Sequence, residues 1–451
     1  MNKVEPQFSS KVIHLLTEKN RETILQQIVG WSPTMWHTAC FTVQAHGIAP
    51  LLYRVLTDLD VLDNFDKGFR DYIRDQYFLN RERIGRIQVI LQTLLTQANY
   101  HHIPVMPLKG SILINSYYPD PAVRPMADID LLISSKDYDR LANLLASMEF
   151  QPVVSYDEKV YTNSNKPVTY DGEHPDNPIK IELNHVVGWP IGHLEFDITN
   201  LIWENAEKGF LGFDSVFTPA QERLLLMLIC HNAGNQFNGK MRAFQLQDLS
   251  LVTRKMVNQQ WLDLKTIVKE YQLERIMFSV LTIAKRFSEI EIPDGLFEEQ
   301  KSRTPRKLQH HVETQSLDSL IASNDYKLLN LKLKERTSNK NQNILKIYQL
   351  LFITIVRSMQ LNWFFFGKEK IQQMRHQFSL STYKKDKERN ILAYIFYYWI
   401  ILPIVYLPIL VIGNRQRDRL LRFLRSRLIR YLYETYESSF GCSVQSTGNL
   451  H

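Results

Sequence analysis

The sequence predicts an α+β protein: a small mixed sheet with helices, embedded in a mostly helical chain. Three observations carry that expectation. Between residues 80 and 100, apolar side chains fall at Ile84, Ile87, Leu91, Leu94, Leu95 and Ala98, the spacing of one buried helix face. Short apolar runs bounded by prolines, glycines or polar turn residues then appear at "IPVMPL" (103–108), "DIDLLIS" (128–134) and "IKIELNHVV" (179–187), and read as strands. Helical periodicity resumes at 217 and continues to about residue 290. With 451 residues, 44% of them hydrophobic and 22% charged, the chain has the material for a large core and the balance of a globular protein.

Taken in order, residues 1–100 form an N-terminal helical region. "HGIAPLLYRVL" (46–56) is a helix with Pro50 in its first turn, where the missing N–H is not needed. Residues 101–215 form the α/β core. The first strand runs into "KGSILINSYY" (109–118), whose Gly-Ser marks a helix start. "YPDPAVRPMA" (118–127) is a loop by its three prolines. After the strand 128–134, "KDYDRLANLLASM" (136–148) is an amphipathic helix with Leu141, Leu144, Leu145 and Met148 inward. A helical domain over 216–299 opens with "FTPAQERLLLMLICHNAG" (217–234), where Thr218 is the expected N-cap. Residues 300–390 read as a polar linker with helices, and 391–451 as an apolar segment followed by an Arg-rich helix.

The formal charge of +7 is concentrated at one end. Residues 415–430 hold seven arginines against Asp418, so the rest of the chain is near neutral. A basic body suited to long nucleic acid is therefore not indicated. Cys40, Cys230 and Cys442 are far apart and form no CxxC pair, which argues against a disulfide framework or zinc site and fits a reducing compartment. "MNKVEPQFSS" has no apolar signal region, so a cytoplasmic location is expected. The stretch 391–413 carries no charge and is long enough to cross a bilayer, yet Pro403 and Pro408 interrupt it and both flanks are basic. Two basic flanks suit a segment that dips into or lies on one leaflet, with the arginines on anionic headgroups. The protein is then peripheral or monotopic on the inner face of the membrane. The alternative is a buried helical hairpin with a solvated basic face.

The chemistry-bearing residues lie in the core. Positions i and i+2 of a strand share a face, so Asp128 and Asp130 aim two carboxylates into one volume. Two such charges repel unless one protonates or a cation joins them. A hard divalent ion such as Mg²⁺ takes oxygen ligands and substrate phosphates. Gly110 lets the backbone approach a ligand at a helix start, where N–H groups favour phosphate, and Lys109 and Ser111 add a charge and a hydroxyl there. Glu182, within the strand 179–187, supplies a third acid or else an exposed edge-strand carboxylate. Arg124 either holds phosphate oxygens bidentately or neutralises an aspartate. No Ser/His/Asp order, P-loop, GxGxxG or HExxH is present.

Together these parts resemble the nucleotidyltransferase fold of the DNA polymerase β superfamily, with its Gly-Ser helix start, D-x-D strand and later third carboxylate. The closer resemblance is to the bacterial NTP_transf_5 nucleotidyltransferase family. The matching positions are Lys109-Gly110, Leu113, Tyr117 or Tyr118, Arg124 and Asp128-Ile129-Asp130-Leu131-Leu132-Ile133, with "HGIAPLLYRVL" upstream and His231, Arg242 and Asp248 in "CHNAGNQFNGKMRAFQLQDL" downstream. The resemblance covers roughly residues 40–290. Where that family often has Asp-Leu-His-Trp, this chain has "IELNHVVGW", with Glu182 as the acid and His185 and Trp189 displaced.

The resemblance implies metal-dependent transfer of a nucleoside monophosphate from an NTP to an unidentified hydroxyl acceptor, a small molecule or protein rather than a long nucleic acid. Asp128, Asp130 and Glu182 would hold two Mg²⁺ ions, with Glu182 also assisting removal of the acceptor's proton. Gly110 and Ser111 would hold the β,γ-phosphates, while Lys109 and Arg124 offset the charge of the leaving pyrophosphate. His231, Arg242 and Asp248 would line the face where base or acceptor binds, or else form a buried trio tying two helices together. The competing reading is a catalytically inactive nucleotide- or partner-binding protein at a membrane surface in a biosynthetic pathway, docked through 391–430.

Overall fold

Local capping chemistry starts the helices of the N-terminal half. The computed structural model describes residues 8–153, 160–163, 176–191 and 194–321. The apolar segment 391–413 and the arginine run 415–430 lie outside the described residues. Five helices come first: α1 (Phe8–His14), α2 (Arg21–Ile28), α3 (Pro33–Ala45), α4 (Ala49–Asp58) and α5 (Lys67–Tyr100). Asn20 accepts from the Glu22 and Thr23 N–H groups, Ser32 from Met35 just ahead of Pro33, and Asp66 from Phe69. Pro50 sits in the first turn of α4. The apolar stripe of residues 84–98 belongs to a helix of 34 residues, because Phe69, Ile73 and Tyr77 continue the same buried face toward the N-terminus.

Next come β1 (Val105–Pro107), α6 (Gly110–Ser116), β2 (Asp128–Ile133), α7 (Tyr138–Ser147), β3 (Gln151–Pro152), β4 (Val160–Thr162) and β5 (Lys180–Asn184). They build a five-stranded sheet of order β1-β2-β5-β4-β3. The β2–β5 pair is parallel and the other pairs are antiparallel, so the sheet is mixed. Strand alternation divides its labour. Ile129, Leu131 and Ile133 of β2, with Ile181 and Leu183 of β5, pack against Ile87, Leu91 and Leu94 of α5 and Leu141 and Leu145 of α7. Asp128, Asp130 and Glu182 therefore project from the opposite face.

Two small hairpin-like pairings follow that the sequence did not predict. One joins β6 (Gly188–Ile191) to β7 (Leu194–Asp197). The other, after α8 (Thr199–Trp203), joins β8 (Glu207–Lys208) to β9 (Phe217–Thr218). Thr218 is thus not an N-cap. It pairs with Glu207, and α9 (Gln221–Asn238) starts after Ala220, which has no side-chain acceptor.

The remaining described helices are α10 (Ala243–Thr253), α11 (Asn258–Glu270), α12 (Glu274–Phe287), α13 (Asp294–Ser302), α14 (Arg306–Thr314) and α15 (Leu317–Leu320). The polar stretch from 306 to 320 is helical because Leu308, Val312, Leu317 and Leu320 give it a buried side. Gln236 of α9 bridges Ser279 of α12 and Gln315, each at 3.0 Å. Among the described residues no helix is long and apolar enough to cross a membrane.

The "HG" of residues 46–47 joins the N-terminal helices to α10. His46 Nδ1 accepts the Ala243 N–H at 3.2 Å. Burial, with Arg242 nearby, pushes the imidazole down to about 3, so it stays neutral and can accept. Gly47 has φ +64, and a Cβ there would lie 2.7 Å from Arg242 Nη2. The cleared space lets Arg242 donate to the Ala45 and Gln44 carbonyls at 3.1 and 3.3 Å.

Candidate active site

The parallel register of β2 and β5 sets Asp130 beside Glu182 and Asp128 beside Lys180. Partners in register face the same side, so the three carboxylates form one acidic row. At the head of this row lies the β1–α6 junction. The Leu108 N–H donates to the Asp130 carbonyl at 2.9 Å, which ties the junction to β2. Lys109 then turns with φ 45 and ψ −119, a conformation that side-chain-bearing residues rarely adopt. That turn brings its Nζ to 2.9 Å from Asp130 Oδ1, with the two side chains 22% and 7% exposed.

The charges respond to one another. Burial opposes the Lys109 charge, but Asp130, supported by Asp128 and Glu182, holds the amine above its ordinary value. Burial and then repulsion from Asp130 push Asp128 up to about 6, against the pull of Lys109, Arg124 and Lys180. Burial and Asp130 push Glu182 up to about 7, with Lys109 opposing and with Asp128 and a hydrogen bond to Asp130 adding to the rise. These carboxyls bind protons more tightly folded than unfolded, so their stabilising contribution is full near pH 4 and is lost as pH rises through about 6 and 7. Asp128→Asn removes one like charge. In metal-free protein its stability relative to wild type is expected to be unchanged near pH 4 and greater at pH 8 by on the order of 1 kcal/mol or more, read as a raised Tm. Thermal unfolding at both pH values checks this; a Tm difference independent of pH contradicts it.

A residue the sequence reading missed holds the two acidic strands in place. Arg83 of α5 is almost fully buried. Its Nε donates to Met126 O at 2.8 Å, and its Nη2 to Ala127 O at 2.7 Å, both just ahead of β2. Nη1 reaches Asn177 O at 3.0 Å and Nη2 reaches Pro178 O at 3.4 Å, just ahead of β5. One planar guanidinium thus gathers the approaches to both strands. A signal existed: Arg83 adjoins Ile84 and Ile87 on the apolar stripe, where a charged side chain needs several partners.

Arg124 and Asp248, separate in sequence, form a buried bidentate pair. Nε and Nη2 each lie 2.8 Å from a carboxylate oxygen. Tyr118 donates to the same carboxylate at 2.8 Å. The Phe244 ring lies between the guanidiniums of Arg124 and Arg242, at 5.3 and 5.1 Å. Arg124 Nη1 rests against Gly110, 2.6 Å from where a Cβ would project, so only glycine fits there. Behind it, Ser111 Oγ is buried with no hydrogen-bond partner among the described residues. Asn235 Nδ2 donates to His231 Nε2 of α9 at 3.1 Å. Burial, then Lys109 and Arg124 against Asp130, push it down to about 3. Arg242 is clamped to α3 through the Ala45 and Gln44 carbonyls, and Asp248 is held by Arg124 and Tyr118.

All donors in the row are carboxylate oxygens, the type hard cations prefer. Among the described residues no three His, Cys, Asp or Glu side chains are grouped ready to hold a metal ion. Lys109 Nζ already caps Asp130 at 2.9 Å. An ammonium bound there shows that a cation fits the position.

A family model described as an uncharacterised nucleotidyltransferase, NTP_transf_5, matches residues 32–289. No curated protein and no solved structure matches the chain.

Proposed function

Because the chain belongs to this nucleotidyltransferase family, we propose that it moves a nucleoside monophosphate from an NTP to a hydroxyl acceptor at the Asp128–Asp130–Glu182 row. The observation that supports this most is the β2–β5 register, which sets Glu182 alongside the D-x-D pair and close to the Lys109–Gly110–Ser111 turn. Asp128, Asp130 and Glu182 are the residues that would hold Mg²⁺, and the donor chemistry fits. Bound there, Mg²⁺ would offset charge on the phosphates and make the acceptor hydroxyl more acidic.

The chain's own groups divide the remaining work. Glu182 would assist removal of the acceptor's proton with its carboxylate. Ser111 Oγ has a hydrogen to offer a phosphate oxygen. Lys109 Nζ offsets negative charge on the leaving pyrophosphate. Arg124 commits two nitrogens to Asp248, so it acts from behind Gly110, stiffening the turn and adding positive potential rather than clasping a phosphate. His231 stays neutral and lines the helical side, where base or acceptor would approach.

Incubation with each α-labelled NTP, Mg²⁺ and cell extract, followed by mass analysis of what gains label, tests this reading. The expected result is one labelled class of product that disappears when Mg²⁺ is chelated. An inactive nucleotide-binding protein instead raises its Tm with Mg²⁺ and NTP yet labels nothing.

A further inference from the structure

We propose that Lys109 is a resident counter-ion, whose ammonium stands on Asp130 in the metal-free protein and yields that place only to a divalent cation arriving together with a nucleoside triphosphate. The inference rests on the nucleotidyltransferase reading of the site and adds an order of binding to it. Metal alone is excluded, and metal and nucleotide enter as a unit.

Three observations carry it. First, the Nζ–Oδ1 contact of 2.9 Å is largely shielded from water, so a cation approaching Asp130 meets a positive charge that solvent screens weakly. Second, the lysine is held there by its backbone. Lys109 has φ 45 and ψ −119, and the turn is hooked on both sides: the Leu108 N–H bonds the Asp130 carbonyl, while the Leu113 N–H bonds the Lys109 carbonyl at 3.0 Å. Glycine would adopt this conformation without strain, so a side chain at this position is retained against a backbone cost. Third, the neighbouring acids are only partly neutralised. The strand register sets three carboxylates in one row with a single ammonium on Asp130, leaving room for a divalent charge once the ammonium has somewhere else to go.

A triphosphate supplies that destination. The adjoining turn holds Gly110 and the unpartnered Ser111 Oγ, so phosphate oxygens arriving there lie beside the lysine. Moving the ammonium from carboxylate to phosphate keeps it paired while opening Asp130 to the metal. The two ligands therefore favour each other, and by linkage each tightens the other equally.

Mn²⁺ serves as probe, its free concentration followed by electron paramagnetic resonance, with each NTP added in turn. Wild type is expected to bind Mn²⁺ weakly alone and at least about 10-fold more tightly with the cognate NTP. Lys109→Met is expected to bind Mn²⁺ alone at least about 10-fold more tightly than wild type, and the NTP in the presence of metal more weakly. Lys109→Arg keeps the charge and should still exclude the lone metal. If wild type binds Mn²⁺ alone as tightly as with NTP, the resident counter-ion is overturned while the nucleotide site stands; this measurement needs no variant to fold. Equal lone-metal affinity of folded Lys109→Met and wild type overturns it likewise. If neither protein binds Mn²⁺ or NTP together or apart, the nucleotidyltransferase reading itself falls.

Discussion

Asp130→Asn lowers labelled-product formation by ~10³-fold or more, about 4 kcal/mol of transition-state stabilisation, while the protein stays folded. Asparagine keeps the shape of the side chain, and its Oδ1 can still accept from Lys109 at the place where the carboxylate now does. What disappears is the negative charge. Mg²⁺ would lose one of the carboxylates that would hold it, and the row from Asp128 to Glu182 loses its middle member. Asp128→Asn has the same consequence for transfer but relieves repulsion in the resting protein, as its raised carboxyl indicates. Turnover of Asp130→Asn within tenfold of wild type, at saturating Mg²⁺ and NTP, would remove this carboxylate from the chemistry.

Arg83→Ala is the largest expected loss of stability. Four backbone carbonyls from two chain segments converge on this guanidinium inside the protein. Alanine leaves them without donors and opens a cavity between α5 and the sheet. Breaking such a buried charged network costs about 3–5 kcal/mol. Since unfolding entropy scales with length, a chain of 451 residues shifts by about 1–2 °C per kcal/mol, so Tm falls by roughly 3–10 °C. Arg83→Lys recovers only part of the loss, because a single ammonium cannot serve carbonyls on both sides of a planar fork. Thermal unfolding of the metal-free protein measures this directly; a fall of less than about 2 °C for Arg83→Ala would mean that the carbonyls find other partners.

Much of the fold was legible because its signals are local. The strands at 105–107, 128–133 and 180–184, the helix after Lys109 and the amphipathic helix 138–147 follow from alternation, helical spacing and turn residues. The two small pairings at 188–197 and 207–218 were not. They are two to four residues long and depend on a partner strand rather than on their own pattern. Thr218 shows the same limit: a good capping residue was taken by strand pairing, which sequence spacing does not encode.

The site divides along similar lines. The D-x-D pair, the glycine turn and Glu182 could be found from residue type and alternation. The roles of other residues depend on tertiary neighbours. Arg124 and Asp248 could not be matched to each other from sequence, since many acids compete for an arginine. Arg83 escaped because its partners are backbone carbonyls, which carry no residue-type signature. The capping of Asp130 by Lys109 turns on a φ angle that ordinary propensity would not assign to lysine.

The β2–β5 pairing also sets when the acidic row is completed during synthesis. The nascent chain releases Asp128 and Asp130 early, but Glu182 joins them only after the crossover between the two strands has left the ribosome, and Asp248 fastens Arg124 later still. Premature fragments lack the completed acidic row.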